Sequence, residues 1–255
     1  MGWWMESGGD RLAGPVFAGL RPEAPDRMAR ALADVAGINA YFEISVGEPV
    51  GPGWSPLTTL CTDGAVLAAL ISDMGERLGT GETRVAASIW FQGLAARVWS
   101  PVLGAVLAHD LLIRCGPADL HWRAAESGPM PLRLAAPQGW RFDETGQVAE
   151  PLHRVVVTGI LEPLVRAVRE IVPIAPGLLW GNAASALAGT LGTLAGARPG
   201  TAARAVPLGR ELLSRGVLRD TGVFGEGPPF VRRSCCLYYR VPGGGLCGDC
   251  VLLRR

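Results

Sequence analysis

The sequence predicts an α+β protein, mostly α-helical, with a few short strands and a small C-terminal module. Three observations lead there. Apolar residues recur at helical spacing through most of the chain, short runs of β-formers interrupt them, and four of the six cysteines crowd between Cys235 and Cys250. With 255 residues, 49% of them hydrophobic, the chain can bury one large core and still carry an appendage.

Residues 1–25 are rich in Gly and Pro and are expected to be loosely ordered. Residues 26–37 read as a helix with Met28, Leu32 and Val35 on one face. Residues 40–46 read as a strand, because Tyr41, Phe42, Ile44 and Val46 are β-formers. A helix is predicted over 63–78, closed by Gly79, and a longer one over 83–109 that Pro101 should kink or break. Ser88, Gln92 and Arg97 interrupt its apolar surface. Residues 119–125 and 132–136 are short neighbouring strands separated by Ser127-Gly128-Pro129. Helices follow over 151–172, weakened in the middle by Pro163, then 178–197, and 201–215 ended by Gly216.

Residues 171–197 carry no charge, a length that could span a bilayer. Pro173, Pro176, Asn182 and several glycines dilute it, so a buried helix preceded by a turn is expected. The Gly/Pro stretch 222–229 sets the module boundary: 1–229 is a mostly helical α+β domain and 230–255 the C-terminal module.

Charged residues make up 18% of the chain and the formal net charge is +1. No basic stripe or tail invites nucleic acid. All basic residues are arginine, the outcome of a G+C-rich coding sequence rather than of a functional demand. Residues 1–10 lack a basic n-region and no long apolar segment follows, so no secretory signal is read there. A cytoplasmic address is expected, where thiols stay reduced and clustered cysteines suggest metal binding before disulfides.

The cysteines form the pattern C-C-x10-C-x2-C: Cys235, Cys236, Cys247 and Cys250. Thiolate is a soft ligand that suits iron–sulfur clusters and zinc, and four thiolates complete a [2Fe–2S] cluster, two per iron. The C-x2-C segment makes a tight turn helped by Gly248, and Gly243 to Gly245 let the chain fold back. Successive side chains on a strand point to opposite faces, so Cys235 and Cys236 share one site only if the backbone turns there. A diiron cluster tolerates such divergence better than one zinc ion. Spacing by itself leaves iron–sulfur, structural zinc and disulfide all open. Cys61 and Cys115 lie in apolar surroundings and read as small buried hydrophobes.

Other chemistry is sparse. His109, His121 and His153 form no zinc motif and read as structural. No nucleophile elbow, Walker loop or dinucleotide-binding glycine loop is present, and Gly243-Gly244-Gly245 is not followed by a helix. Electrons must then come from an external donor. Trp90, Trp99, Trp122, Trp140 and Trp180 read as core before ligand platform. Arg232 and Arg233, just before the first cysteines, either offset thiolate charge, attract an anionic iron complex, or are simply solvated.

The segment Arg233-Ser-Cys-Cys-Leu-Tyr-Tyr-Arg240, followed by Cys247-Gly-Asp-Cys250, resembles the C-terminal signature of FhuF-like ferric siderophore reductases. Upstream, Ser88 to Arg97 and Leu179 to Ala183 are similar to helical segments of that family. The resemblance implies an oxidoreductase acting on metal ions, a mostly helical α+β fold, and a [2Fe–2S] cluster held by Cys235, Cys236, Cys247 and Cys250. It also implies a ferric siderophore, of hydroxamate type, as substrate in the cytoplasm. Transient contact with a membrane surface is compatible with this reading. Two other functions are weighed beside it: a non-enzymatic siderophore-binding or interaction protein with structural zinc at the cysteines, and a [2Fe–2S] carrier with another acceptor.

Overall fold

The computed structural model describes residues 15–225 and 230–254. Of the loose ordering expected over residues 1–25, residues 1–14 lie outside that range. Residues 15–25 are ordered instead, with a 3-10 turn at Pro15–Phe17 and a strand at Arg21–Pro22, because Phe17 stacks on Trp140 and the strand pairs with Trp140 and Arg141. Part of the boundary expected at 222–229 also lies outside the described range. Within it the protein is mostly helical with short strands, as the sequence predicts.

Helix α1 (Pro25–Ala36) starts at a proline with Asp26 in its first turn and buries Met28, Ala31, Leu32 and Val35. The four-residue α2 (Thr59–Thr62) leads into α3 (Gly64–Leu78). There Asp63 caps the helix, its carboxylate accepting from the backbone N–H of Ala65 at 3.0 Å and Val66 at 3.1 Å. Gly79 closes α3 in the left-handed conformation at φ +63°, and the N–H of Thr80 returns to the Gly75 carbonyl at 2.9 Å.

Helix α4 (Thr83–His109) runs unbroken past Pro101. Pro101 is itself buried, and α4 packs against α1, α3 and the long helix α7 (Pro176–Ala197), so tertiary contacts outweigh the one backbone bond the proline forfeits. Among the described residues α4 is the one helix long and apolar enough to cross a membrane, and 78% of its apolar window is buried inside the protein. The charge-free stretch 171–197 divides at extended Val172, and α7 buries residues from Leu179 to Leu194 in the core.

The long helix expected over 151–172 is three pieces: α5 (Ala149–Leu152), a π-helical segment (His153–Leu161) and α6 (Glu162–Ile171). Pro163 explains the change. Its ring cannot sit against the carbonyl four residues back nor donate to it, and the wider π turn removes both demands. Helix α8 (Ala202–Leu213) packs on α7 and ends before Gly216.

Three small sheets flank the helices. One has the order β1 (Arg21–Pro22), β7 (Gln138–Arg141), β4 (Leu111–Arg114), all antiparallel. Another has the order β2 (Ser45–Val46), β6 (Leu132–Leu134), β5 (Leu120–Trp122), β3 (Ser55–Pro56), with β2 parallel to β6. The third pairs β8 (Gly222–Val223) with β9 (Val231–Arg232) and joins the C-terminal module to the helical body. The neighbouring strands expected over 119–125 and 132–136 are β5 and β6. Strands β4 and β7 were not legible: Leu111 to Ile113 are buried in succession, so no polar alternation marks them.

The strand expected over 40–46 is confined to Ser45–Val46, and residues 40–42 turn instead. Arg97 is the reason. Its buried guanidinium donates to the carbonyls of Ala40 (2.9 Å), Glu43 (2.6 Å) and Met130 (2.8 Å), and also to that of Tyr41. Carbonyls that a ladder would have used are gathered on one cation. Burial holds the Arg97 pKa down, to about 10, while Glu43 opposes that shift.

Candidate metal centre

The C-terminal module lies against α7 and the N-terminal half of α4. Its approach to α7 is close: a Cβ on Gly181 would overlap the hydroxyl of Ser234, the residue before the first cysteine. Gly181→Ala is therefore expected to push the cysteine segment outward at a cost of about 1–3 kcal/mol. Visible absorbance per mole of purified protein checks it, and full occupancy with unchanged stability would show that the contact is not needed.

The backbone turns where the vicinal cysteines require it. Leu237 is left-handed at φ +67°, and its N–H donates to Cys235 Sγ at 3.4 Å. A 3-10 turn, Tyr238–Arg240, follows and is tied to the start of α4 by Arg240 Nε donating to Glu82 at 2.9 Å. Gly243 takes φ +71° and the chain folds back. In the C-x2-C turn the Cys250 N–H donates to the Cys247 carbonyl at 3.1 Å. Gly248 has an ordinary φ and open space where a Cβ would stand, so the turn itself does not need a glycine there.

Cys236 and Cys250 are buried, Cys235 and Cys247 half-buried. The sulfurs of Cys236 and Cys247 stand 3.6 Å apart. Two thiolates on one tetrahedral metal with bonds of about 2.3 Å would be about 3.8 Å apart. Among the described residues no three His, Cys, Asp or Glu side chains converge on a single-ion position. Burial pushes the thiol pKa values of Cys235 and Cys247 up, and neighbouring cysteines push the same way, Cys236 in both cases and Cys250 also on Cys235. Ligation at this site must then release protons.

A buried polar chain supports the cysteines from behind. Ser88 of α4 donates its hydroxyl to the Cys236 carbonyl at 2.6 Å. Asn182 of α7 donates to the Ser88 carbonyl and hydroxyl, each at 2.9 Å. Arg232, fully buried, donates Nη1 to Asn182 Oδ1 at 2.7 Å and Nε to Asp249 Oδ2 at 3.0 Å. For Asp249 burial pushes the carboxyl pKa up, but the Arg232 guanidinium and hydrogen bonds outweigh it and hold the group below the usual range. Among the described residues Arg232 Nη2 has no partner. Arg232 is thus charge-balanced by Asp249, and its spare Nη2 donor is what the module holds for a sulfur-ligated group.

Residues 232–252 match the family model of the FhuF 2Fe-2S C-terminal domain. The module is a FhuF-type [2Fe–2S] domain. All four clustered cysteines fall inside the matched residues, whereas the similar helical segments upstream lie outside them. A comparison with curated proteins finds no match. The FhuF-type module binds a [2Fe–2S] cluster, and the soft donor set, the sulfur separation and the spare Arg232 donor fit that group.

Of the other residues singled out in the sequence, Arg233 is exposed and paired with Asp220, so only Arg232 faces the module's interior. Cys115 is buried and Cys61 half-buried, both away from the cluster, with thiol pKa values that burial pushes up to about 12 and about 11. His109 pairs with Asp34 at 2.9 Å, and His153 sits buried against Gly216, where burial lowers its pKa. Trp90, Trp99, Trp122 and Trp180 are core, and Trp140 stacks on Phe17. The supporting residues missed as such were Ser88, Gly181, Asn182 and Asp249. Ser88 and Asn182 were visible as isolated polar residues in apolar helices, and their burial is what gives that signal its meaning.

Among the described residues, two of the clefts beside the helices are large. One of about 430 Å³, lined by Ile71, Gly75, Thr80 and Ile171, holds no cysteine. A larger one of about 900 Å³ runs along α7 and reaches Cys236 and Cys247.

Proposed function

We propose that the protein is a ferric-siderophore reductase that works in the cytoplasm. It passes one electron to siderophore-bound Fe³⁺, so that Fe²⁺ is released. The observation that carries the reading is a FhuF-type module whose cysteines open onto a cleft large enough for an iron chelate. Cys235, Cys236, Cys247 and Cys250 would be the ligands, and the 3.6 Å between the Cys236 and Cys247 sulfurs supports a shared site for them. The bound cluster supplies one-electron storage. The protein's own residues do the rest: the Ser88–Asn182–Arg232 chain fixes the ligand loop, and Arg232, its charge balanced by Asp249, keeps a spare donor there. Hard Fe³⁺ is held tightly by oxygen donors and Fe²⁺ much less, so one electron makes the complex labile. The electron donor is external.

The test is anaerobic. The purified protein should be coloured and, after chemical reduction, give an electron paramagnetic resonance signal that ferric hydroxamate removes with stoichiometric Fe²⁺ formation. A colourless protein containing zinc and no sulfide would overturn the proposal in favour of a structural site. A reduced cluster that ferric hydroxamate leaves untouched would make the protein a carrier for another acceptor.

Arg232 gives a separate readout. A buried cation favours the more negative, reduced state, because charge and burial set cluster potential. Arg232→Met is expected to lower the midpoint potential by on the order of 60–120 mV, one or two factors of ten at about 59 mV each. Arg232→Lys should recover part of it. Spectroelectrochemistry measures the shift, and an unchanged potential in the methionine variant would remove Arg232 from this role.

A further inference from the structure

The four-stranded sheet turns one face to the core and the other outward. Leu120, Trp122, Leu132 and Leu134 are buried, so the residues that alternate with them stand on the outer side. There His121 of β5 and Arg133 of β6 are direct cross-strand partners, and Arg123 follows at the end of β5. The loop before β3, residues 47–54, folds over this side. Gly47 and Gly53 take φ +111° and +85°, and a Cβ on either would touch an arginine, Arg133 at 3.8 Å and Arg123 at 3.4 Å. The loop delivers Trp54, whose ring centre lies 5.0 Å from the Arg123 guanidinium carbon and 5.2 Å from that of Arg133. Two cations thus share one indole, which holds both in place.

Neither charge is neutralised within the protein. Among the described residues Arg123 and Arg133 form no ion pair. Glu48, in the covering loop, offers Arg133 its backbone carbonyl at 3.3 Å rather than its carboxylate. Arg133 Nε and His121 Nδ1 are enclosed, and among the described residues they have no hydrogen-bond partner. Gathering two like charges costs energy, and so does enclosing polar nitrogens unpaired. A bound oxyanion removes both costs, and enclosed polar atoms without partners mark a place where a small ion belongs. We propose that Arg123, Arg133 and His121 form an oxyanion site for a phosphomonoester. Two guanidiniums match the two negative charges of that group, and their planar forks match its oxygens. A monoanion would leave one cation unbalanced. The site shares no residue with the cysteine module or the cleft that reaches it, and it does not depend on the reductase reading.

The oxidised, cluster-loaded protein is titrated calorimetrically in mildly alkaline buffer with methyl phosphate, a dianion, and methyl sulfate, a monoanion. Methyl phosphate should bind one to one, and methyl sulfate at least tenfold more weakly. Arg123→Met and Arg133→Met should each weaken methyl phosphate binding at least tenfold while circular dichroism and the visible spectrum stay unchanged. Arg123 is exposed, so its variant tests the site even where Arg133→Met disturbs the sheet. Arg210→Met removes an exposed arginine of α8 and should change nothing. Sedimentation with phosphatidylcholine vesicles, with and without phosphatidic acid, identifies the source of the phosphate. Binding to the acidic vesicles that methyl phosphate displaces assigns a lipid headgroup. No vesicle binding, or binding that methyl phosphate leaves in place, assigns a soluble phosphomonoester. No binding of methyl phosphate, equal affinity for the two anions, or wild-type affinity in Arg123→Met would overturn the inference and leave the reductase reading intact.

Discussion

Cys247→Ser and Cys250→Ser, made separately, are each expected to abolish the visible absorption and the reduced-state resonance signal while leaving the helical body folded. The loss follows from ligand chemistry. Serine presents a hard oxygen that stays protonated near neutral pH, where the site needs a soft thiolate. Survival of the body follows from where the core lies. The main hydrophobic cluster runs from Phe17 to Phe230 and, among the described residues, includes none of the four clustered cysteines. Far-ultraviolet circular dichroism should therefore keep its helical shape in both variants. A cluster spectrum that survived both changes would refute the ligand assignment, and a protein unfolded by either would show that the body depends on the centre.

The largest effect on stability should come from Arg97→Met, outside the cysteine module. The guanidinium serves the carbonyls of Ala40, Tyr41, Glu43 and Met130 from inside the protein. Methionine fills similar space but donates nothing, so several buried acceptors lose their partner at about 1–3 kcal/mol each before relaxation. A net loss of about 4 kcal/mol is expected, and the melting temperature should fall by about 8–16 °C at 2–4 °C per kcal/mol for a chain of this size. Arg97→Lys keeps the charge but cannot fork to four carbonyls, and should recover only part of the loss. Thermal denaturation followed by circular dichroism decides. A shift below about 2 °C would mean that water replaces the guanidinium and that the 40–43 turn has other support.

The same residue shows where sequence reading reaches its limit. Helices whose signals are local were legible: α1 from the spacing of Met28, Leu32 and Val35, and α3 from Asp63 at one end and Gly79 at the other. The strand read over 40–46 failed because its carbonyls are claimed by Arg97, more than fifty residues away in the chain. Helix α4 survives Pro101 because packing on α7, α3 and α1 outweighs a local breaker. Strand β7 needs Gly139, whose Cβ would overlap the Leu112 carbonyl, and nothing near Gly139 announces that neighbour. The cysteine motif was fully legible because its chemistry is written in one short segment. Its support was not, because Ser88, Asn182 and Arg232 come together only when α4, α7 and β9 do.

The glycines of α7 that face the cleft have a thermodynamic meaning. Gly189 and Gly192 have free space beside them, and alanine at either would be accommodated. Each glycine in a helix interior forgoes about 1 kcal/mol relative to alanine. The fold thus gives up stability that a single methyl group would restore, and what it keeps in exchange is width along the floor of the cavity. Directed evolution for thermostability would find those methyl groups early, and would narrow the opening as it did so. Stabilised descendants of this protein should then lose bulky ligands before they lose their colour.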